Sequence, residues 1–366
     1  MGGATRRDPL RGDDQDRASA SQGVRAVSAG KKALKAAGVG LGLAAGLAGA
    51  GYVTQRAVLR GLRSRPDPDA GHLPPLPLDD VRHLESHDGG TIYVIQAGPH
   101  DGTPIVLLHG VTIDSRIWVK QLDALPRLGF RVVAFDTRGH GSSKCGDSGH
   151  SIENLTFDVR TMLQELDLHD AILVGHSMGG VAVQAFASQL TADAHEHVRG
   201  LVLLSSLAKT QVSAARRLRA LTESMSERFD FARIMSNHDV GTMLARLGFG
   251  RDPQASHVEL VRQMLAECSA ETSRDALSVL LAMDLTPHLE QIDLPTLIIC
   301  GSADMLTPRF ESKRIARLIP GARMVMIEGA GHTIMLERPD ELEEVLVDFS
   351  RELGVSPSIH RDAAAG

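Results

Sequence analysis

Ser177 stands between small residues in Gly175-His176-Ser177-Met178-Gly179. The apolar run 171–174 precedes it, and the helix-compatible stretch 180–187 follows. A strand that turns sharply into a helix at a serine is a nucleophile elbow. The turn is expected to hold the serine backbone in a sparsely populated conformation, with glycine needed at 175 and 179 where facing backbone comes close. A serine hydroxyl is a poor nucleophile at neutral pH; it needs a base within hydrogen-bond reach, and the base needs an orienting carboxylate.

Two later segments supply those groups. Leu294-Pro295 announces the apolar run 296–300, which ends in Gly301-Ser302-Ala303-Asp304. Asp304 thus falls in a turn just past a buried strand, where open α/β sheets carry functional loops. The strand-like run 323–327 leads into Glu328-Gly329-Ala330-Gly331-His332. The order Ser177, Asp304, His332 is the chain order of a Ser-Asp-His triad built on this kind of elbow. Two backbone N–H groups must also face the developing oxyanion. Met178 follows the nucleophile, and Val111 lies in the loop His109-Gly110-Val111-Thr112 after the run 105–108; Gly110 leaves room for that loop to turn.

Taken together, these residues resemble the α/β-hydrolase family, in its serine-nucleophile, esterase- and lipase-like branch. The likeness spans about residues 81–353 and is carried by Leu108-His109-Gly110, the stretch 135–143 with its Gly139-His140-Gly141, the elbow through Gly180, Gly301–Asp304 and Gly331-His332. It implies an eight-stranded, mostly parallel, doubly wound sheet with helices on both faces. Dehalogenases and epoxide hydrolases of that family place aspartate in the elbow, and Ser177 argues against both. His109, His140 and His176 are expected to pack or hydrogen-bond within their loops, and Trp118 to fill core or pocket wall.

Positioning these groups requires strands alternating with helices. Strand patterns fall at 91–95, 105–108, 132–135, 171–174, 201–204, 296–300 and 323–327, and helical patterns between them include 155–166 and 341–353. That alternation gives a parallel sheet. Residues 208–284 break it with helical patterns alone and are expected to form a cap over the elbow. Met225, Met235, Met243 and Met264 fall in that insert, as core or as pocket lining. The core is therefore 81–207 with 285–355, and 356–366 is a tail.

Composition narrows function further. Hydrophobic residues make up 43% of the 366 and aromatic residues 3%. Residues 1–65 hold 12 Lys/Arg against 4 Asp/Glu, and the remainder 27 against 41. The body is acidic and unsuited to nucleic acid. Cys145, Cys268 and Cys300 have no metal, redox or disulfide spacing, and no cofactor is called for.

The basic end is a different kind of segment. Residues 1–35 are too poor in bulky apolar side chains to order themselves. Residues 36–53 carry no charge and lie between Lys31, Lys32, Lys35 and Arg56, Arg60, Arg63, Arg65. Eighteen residues at ~1.5 Å each approach the ~30 Å of a hydrocarbon core, so a single membrane anchor of undecided orientation is expected. The alternatives are a signal peptide cleaved after Ala48-Gly49-Ala50, giving a secreted chain, or a helix that does not insert, giving a cytoplasmic one. Gly38, Gly42 and Gly46 form a small-residue stripe suited to self-association. A proline-punctuated linker covers 54–80.

The expectation is a cofactor-free serine hydrolase acting on carboxylic esters, small or lipid-like, through an acyl-enzyme. C–C, amide or perhydrolytic chemistry, or a ligand receptor without turnover, are the alternatives.

Overall fold

Eight aliphatic-rich segments pair into one sheet in the computed structural model, which describes residues 1–2, 55–210 and 231–355. The chain divides into two units, residues 1–60 and 61–366. Of the first, residues 55–60 are helical. The proposed anchor 36–53 and its glycine stripe lie outside the described residues. Among the described residues no helix is long and apolar enough to cross a membrane.

In the second unit the strands are β1 (Asp80–Glu85), β2 (Thr91–Ala97), β3 (Pro104–Leu108), β4 (Arg131–Phe135), β5 (Ala171–His176), β6 (Val198–Leu204), β7 (Thr296–Gly301) and β8 (Arg323–Ile327). Their spatial order is β1-β2-β4-β3-β5-β6-β7-β8. β1–β2 and β2–β4 are antiparallel; every later pair is parallel. The helices are α1 (Val119–Arg127), α2 (Ile152–Glu165), α3 (Met178–Gln189), α4 (Thr191–His197), α5 (Phe231–Ser236), α6 (His238–Ala245), α7 (Ala255–Glu267), α8 (Ala270–Ala282), α9 (Arg309–Leu318), α10 (Ile334–Glu337) and α11 (Pro339–Glu352).

β3, β5 and β7 are buried along their whole length. That is why they read as unbroken apolar runs and not as alternations. Their side chains divide between two cores. Val106, Leu108 and Leu173 pack with Val159, Val181 and Phe186 on one face. Ile105, Leu107 and Ile172 pack with Trp118, Leu122 and Phe349 on the other. β1 and β8 are half exposed, as edge strands are. Strand order reverses at β3, so the carboxyl ends of β3 and β5 open a crevice between oppositely directed connections, the usual ligand position in such sheets.

The described part of the insert between β6 and β7 contains α5–α8. Its base is pinned where Lys209 pairs with Asp284 in an antiparallel bridge and Lys209 Nζ lies 2.5 Å from Asp284 Oδ2. Met235 is fully buried, Met243 half-buried and Met264 buried; Met225 lies outside the described residues.

The proline-rich stretch that leads into β1 is tied to the insert. Asp67 accepts from the backbone N–H and hydroxyl of Ser256 at the start of α7, both at 2.7 Å. Asp69 takes Lys120 Nζ and His257 Nε2, each at 2.7 Å. Burial works against the Asp69 charge, yet these two donors hold its carboxyl below the usual range.

A second polar lock joins the β1–β2 turn to the loop after β4 and to α2. Arg138, Asp88 and Asp158 are all buried, with Arg138 Nε 2.7 Å from Asp158 Oδ2 and Nη1 2.9 Å from Asp88 Oδ2. Burial pushes the Asp88 carboxyl up, but the hydrogen bonds and charge of Arg138 outweigh it and hold the carboxyl at about 2, against 3.8 ordinarily. A depressed carboxyl pKa contributes stability that is complete above the unfolded value and is lost as pH falls through the folded one. Asp88→Asn should therefore make acid unfolding shallower between about pH 4 and 2. Circular dichroism against pH checks this; an unchanged acid limb would exclude the Asp88 contribution.

Candidate active site

The elbow begins where β5 ends. Ser177 has φ +52° and ψ −113°, outside the regions that side chains favour. Such strain persists only where the surroundings over-determine it. Ser177 N–H donates to the Leu204 carbonyl at 3.0 Å, and its own carbonyl accepts from Val181 N–H at 3.1 Å and Ser206 Oγ at 2.9 Å. Backbone packs against backbone on both sides. A Cβ at Gly175 would stand 2.5 Å from the Gly179 carbonyl oxygen, and one at Gly179 2.4 Å from that of Leu108. Gly110 closes the third side: a Cβ there would stand 3.1 Å from Ser177 Cβ.

Asp304 and His332 meet. Asp304 Oδ2 lies 3.0 Å from His332 Nδ1. Its other oxygen accepts from Leu306 N–H at 2.8 Å and Thr307 N–H at 2.9 Å. The Thr307 hydroxyl sits 2.6 Å from Asp304 Oδ2, 2.9 Å from the Ser205 carbonyl and 3.1 Å from His332 Nδ1. Burial would raise the Asp304 carboxyl, but the charge and hydrogen bond of His332, with those of Thr307, hold it well below the usual carboxylate range. Asp304 is thus an anion fixed on every side. A carboxylate only accepts, so His332 carries its proton on Nδ1 and leaves Nε2 bare.

Three further groups hold the His332 loop. His176 Nε2 donates to the His332 carbonyl at 3.0 Å, joining the elbow to that loop, and the two rings lie 4.6 Å apart. Burial, then the neighbouring His332, keeps His176 well below the usual histidine range, so it stays neutral. The Gly248 carbonyl, from the insert, accepts from His332 N–H at 2.8 Å and Thr333 N–H at 3.1 Å. Glu337 accepts from Gly250 N–H at 2.6 Å and Gly331 N–H at 2.9 Å. Sequence reasoning missed Thr307, Glu337, Ser206 and Gly248. Only Thr307 had a signal, since Asp-x-x-Thr after a strand is a side-chain-capped turn. Glu337 follows His332 closely but carries no motif, and Ser206 and Gly248 come from remote segments about which spacing says nothing.

Met178 opens α3, and Val111 lies in the loop after β3, beside Thr112 at φ +62°. Thr112 N–H is engaged by His140 Nε2 at 3.1 Å. Trp118 is fully buried in the core, edge-on to His176 at 6.4 Å. A cavity of about 390 Å³ borders the outer side of this loop, with Leu76, Tyr93, Thr112, Arg116, Asp136 and Met264 in its walls. Neither Ser177 nor His332 is among its lining residues.

Gly179→Ala should cost about 3 kcal/mol, because the new methyl group meets backbone that has nowhere to go. Gly61→Ala, where a Cβ meets nothing within 4 Å, serves as the control. Thermal unfolding compares the two; equal midpoints would remove the packing constraint on the elbow.

The fold agrees with the comparisons. A sequence profile of the alpha/beta hydrolase fold matches residues 103–339. A putative non-heme chloroperoxidase of Synechocystis is 30% identical over 68% of this chain and 91% of its own. A bifunctional esterase/perhydrolase of Acinetobacter calcoaceticus is 28% identical over 74% of this chain and 99% of its own. The solved structure of an esterase from Exiguobacterium antarcticum superimposes with a TM-score of 0.65 at 23% identity, over 74% of this chain and 98% of that one, a likeness of fold. The chain belongs to the α/β-hydrolase fold family.

Proposed function

We propose that the protein is a serine hydrolase of carboxylic esters, working through Ser177, His332 and Asp304. The observation that carries this reading is the buried Asp304–His332 pair, joined through His176 to a strained serine at the tip of β5. His332 Nε2 takes the Ser177 proton as Oγ attacks the acyl carbon. Asp304 fixes the ring's tautomer and stabilises the cation that forms. The N–H groups of Val111 and Met178 receive the oxyanion; Thr112 N–H is already taken by His140, which favours Val111 as the loop's donor. The alcohol leaves with the proton from His332, and water then cleaves the acyl-enzyme.

The same acyl-enzyme opens a second outcome. Hydrogen peroxide in place of water attacks the acyl carbon, releasing a peroxyacid and restoring the serine hydroxyl. The relative named as a bifunctional esterase/perhydrolase supports keeping both in one substrate panel. A fluorophosphonate probe should label Ser177 in the wild-type protein. Ser177→Ala should lower kcat about 10⁴- to 10⁶-fold and Asp304→Asn about 10⁴-fold on a p-nitrophenyl ester. An unlabelled serine, or a Ser177→Ala variant at wild-type rate, would end the acyl-enzyme reading.

Residues 36–53 are proposed as a single membrane anchor, on the strength of their uncharged run between basic flanks. The full chain should sediment with membranes after alkaline carbonate treatment, and Leu43→Arg with Leu47→Arg should release it, since each central arginine costs about 2.5–3.5 kcal/mol of insertion. A wild-type chain found wholly in the supernatant refutes the anchor.

A further inference from the structure

Two histidines outside the triad are wired into the Val111 loop in a reciprocal way. His109, within that loop, has Nδ1 2.7 Å from the Gly110 carbonyl oxygen, and its Nε2 accepts from Thr137 N–H at 2.9 Å. His140, in the neighbouring loop after β4, has Nδ1 3.0 Å from the Arg138 carbonyl oxygen, and its Nε2 accepts from Thr112 N–H at 3.1 Å. A carbonyl only accepts and an amide N–H only donates, so these partners force both rings into the neutral Nδ1–H tautomer. Each ring also lies near the Thr137 hydroxyl, 3.3 Å from His109 Nε2 and 3.1 Å from His140 Nδ1. Both side chains are buried. Burial, then the neighbouring His109, pushes His140 down to about 3, so its ring stays an acceptor throughout the neutral range.

The geometry acts on two successive peptide planes. The Gly110–Val111 peptide is planar and trans, so its C=O and N–H point in opposite directions. Fixing the Gly110 carbonyl through His109 therefore aims the Val111 N–H. The next plane is held twice: Thr112 N–H by His140, and the Val111 carbonyl by the Thr112 hydroxyl at 2.6 Å. Thr112 is β-branched and sits at φ +62°, a conformation that relaxes unless something holds it. We infer that His109 and His140 are positioning residues that aim the Val111 N–H at the oxyanion, each through a different ring nitrogen. This rests on the serine-hydrolase reading above and adds to it what sets the oxyanion donor.

The two ring positions make a crossed test possible. Asparagine places its amide near the position of Nδ1 and glutamine near that of Nε2. At 109 the essential contact is donation from Nδ1, so His109→Asn should keep kcat close to wild type and His109→Gln should lower it. At 140 the essential contact is acceptance at Nε2, so His140→Gln should keep kcat and His140→Asn should lower it. The losses should be about 10- to 100-fold with KM unchanged, short of the hundred- to thousandfold seen when an oxyanion donor is deleted. The measurement uses the full chain on p-nitrophenyl acetate, with thermal unfolding alongside. A merely structural role would make kcat follow stability and not the crossed pattern. Equal effects of the two substitutions at either position, or unchanged kcat in all four variants, overturn the inference while leaving the triad standing. A Ser177→Ala variant at wild-type rate removes the serine mechanism and this inference with it. Nitrogen-15 NMR of the two rings gives a readout free of turnover: either ring found as the Nε2–H tautomer, or protonated at neutral pH, also overturns it.

Discussion

Backbone-to-backbone contact at the elbow is the constraint on which the rest of the molecule depends. The end of β5, the start of α3 and the end of β3 approach so closely that Gly175 and Gly179 have no space for a methyl group. This contact forces the reversal that leaves Ser177 at positive φ. A turn of that kind is not stable alone. It is maintained because β5 lies fully buried between β3 and β6 and cannot slide without moving both cores. The sheet therefore stores the strain, and a one-residue change of register in β5 would remove the serine from the crevice.

Around this fixed point the loops are held by polar groups whose partners come from distant parts of the chain. Asp304 is satisfied by its own turn and by His332, so it remains charged inside the protein, where an unpaired carboxylate would take up a proton. The His332 loop leans on Glu337 after it, on His176 from the elbow and on Gly248 from the insert. The insert is thus part of the frame that sets the imidazole. Asp67 and Asp69 tie the stretch ahead of β1 to α7 of the same insert, so the segment before the sheet also bears on how the insert is held.

Much of this was legible in the sequence, and the reasons are local. β3, β5 and β7 are short apolar runs ended by glycine or by functional turns, and burial on both faces gives such runs their plain signature. The elbow glycines announce close approach, and Asp304 and His332 announce themselves by standing just past strands. β1, half exposed and rich in polar residues, has a weak pattern, and the strand patterns read from the sequence begin only at β2. Nothing local in Glu337, Ser206 or Gly248 points to the site. Ser206 reaches Ser177 across 29 residues, and Glu337 joins Gly331, six residues before it, to Gly250, 87 residues before it; spacing does not encode such contacts. His109 and His140 were seen as loop-packing residues; which ring nitrogen does what depends on partners that only the folded backbone supplies.

The distribution of histidines supports reading one imidazole among sixteen as the proposed base. Four of them, His109, His140, His176 and His332, crowd the ends of β3, β4, β5 and β8, and their rings lie 4.6–5.3 Å apart where they neighbour one another. Burial and mutual repulsion keep His140 and His176 neutral. Among the described residues only His332 of the four hydrogen-bonds a carboxylate, and that carboxylate is held ionised. The other three rings keep lone pairs or N–H groups aimed at backbone in the contacts that hold the loops. The one carboxylate contact in this group of rings separates the proposed base from the proposed positioning residues, and residue type alone does not reveal it.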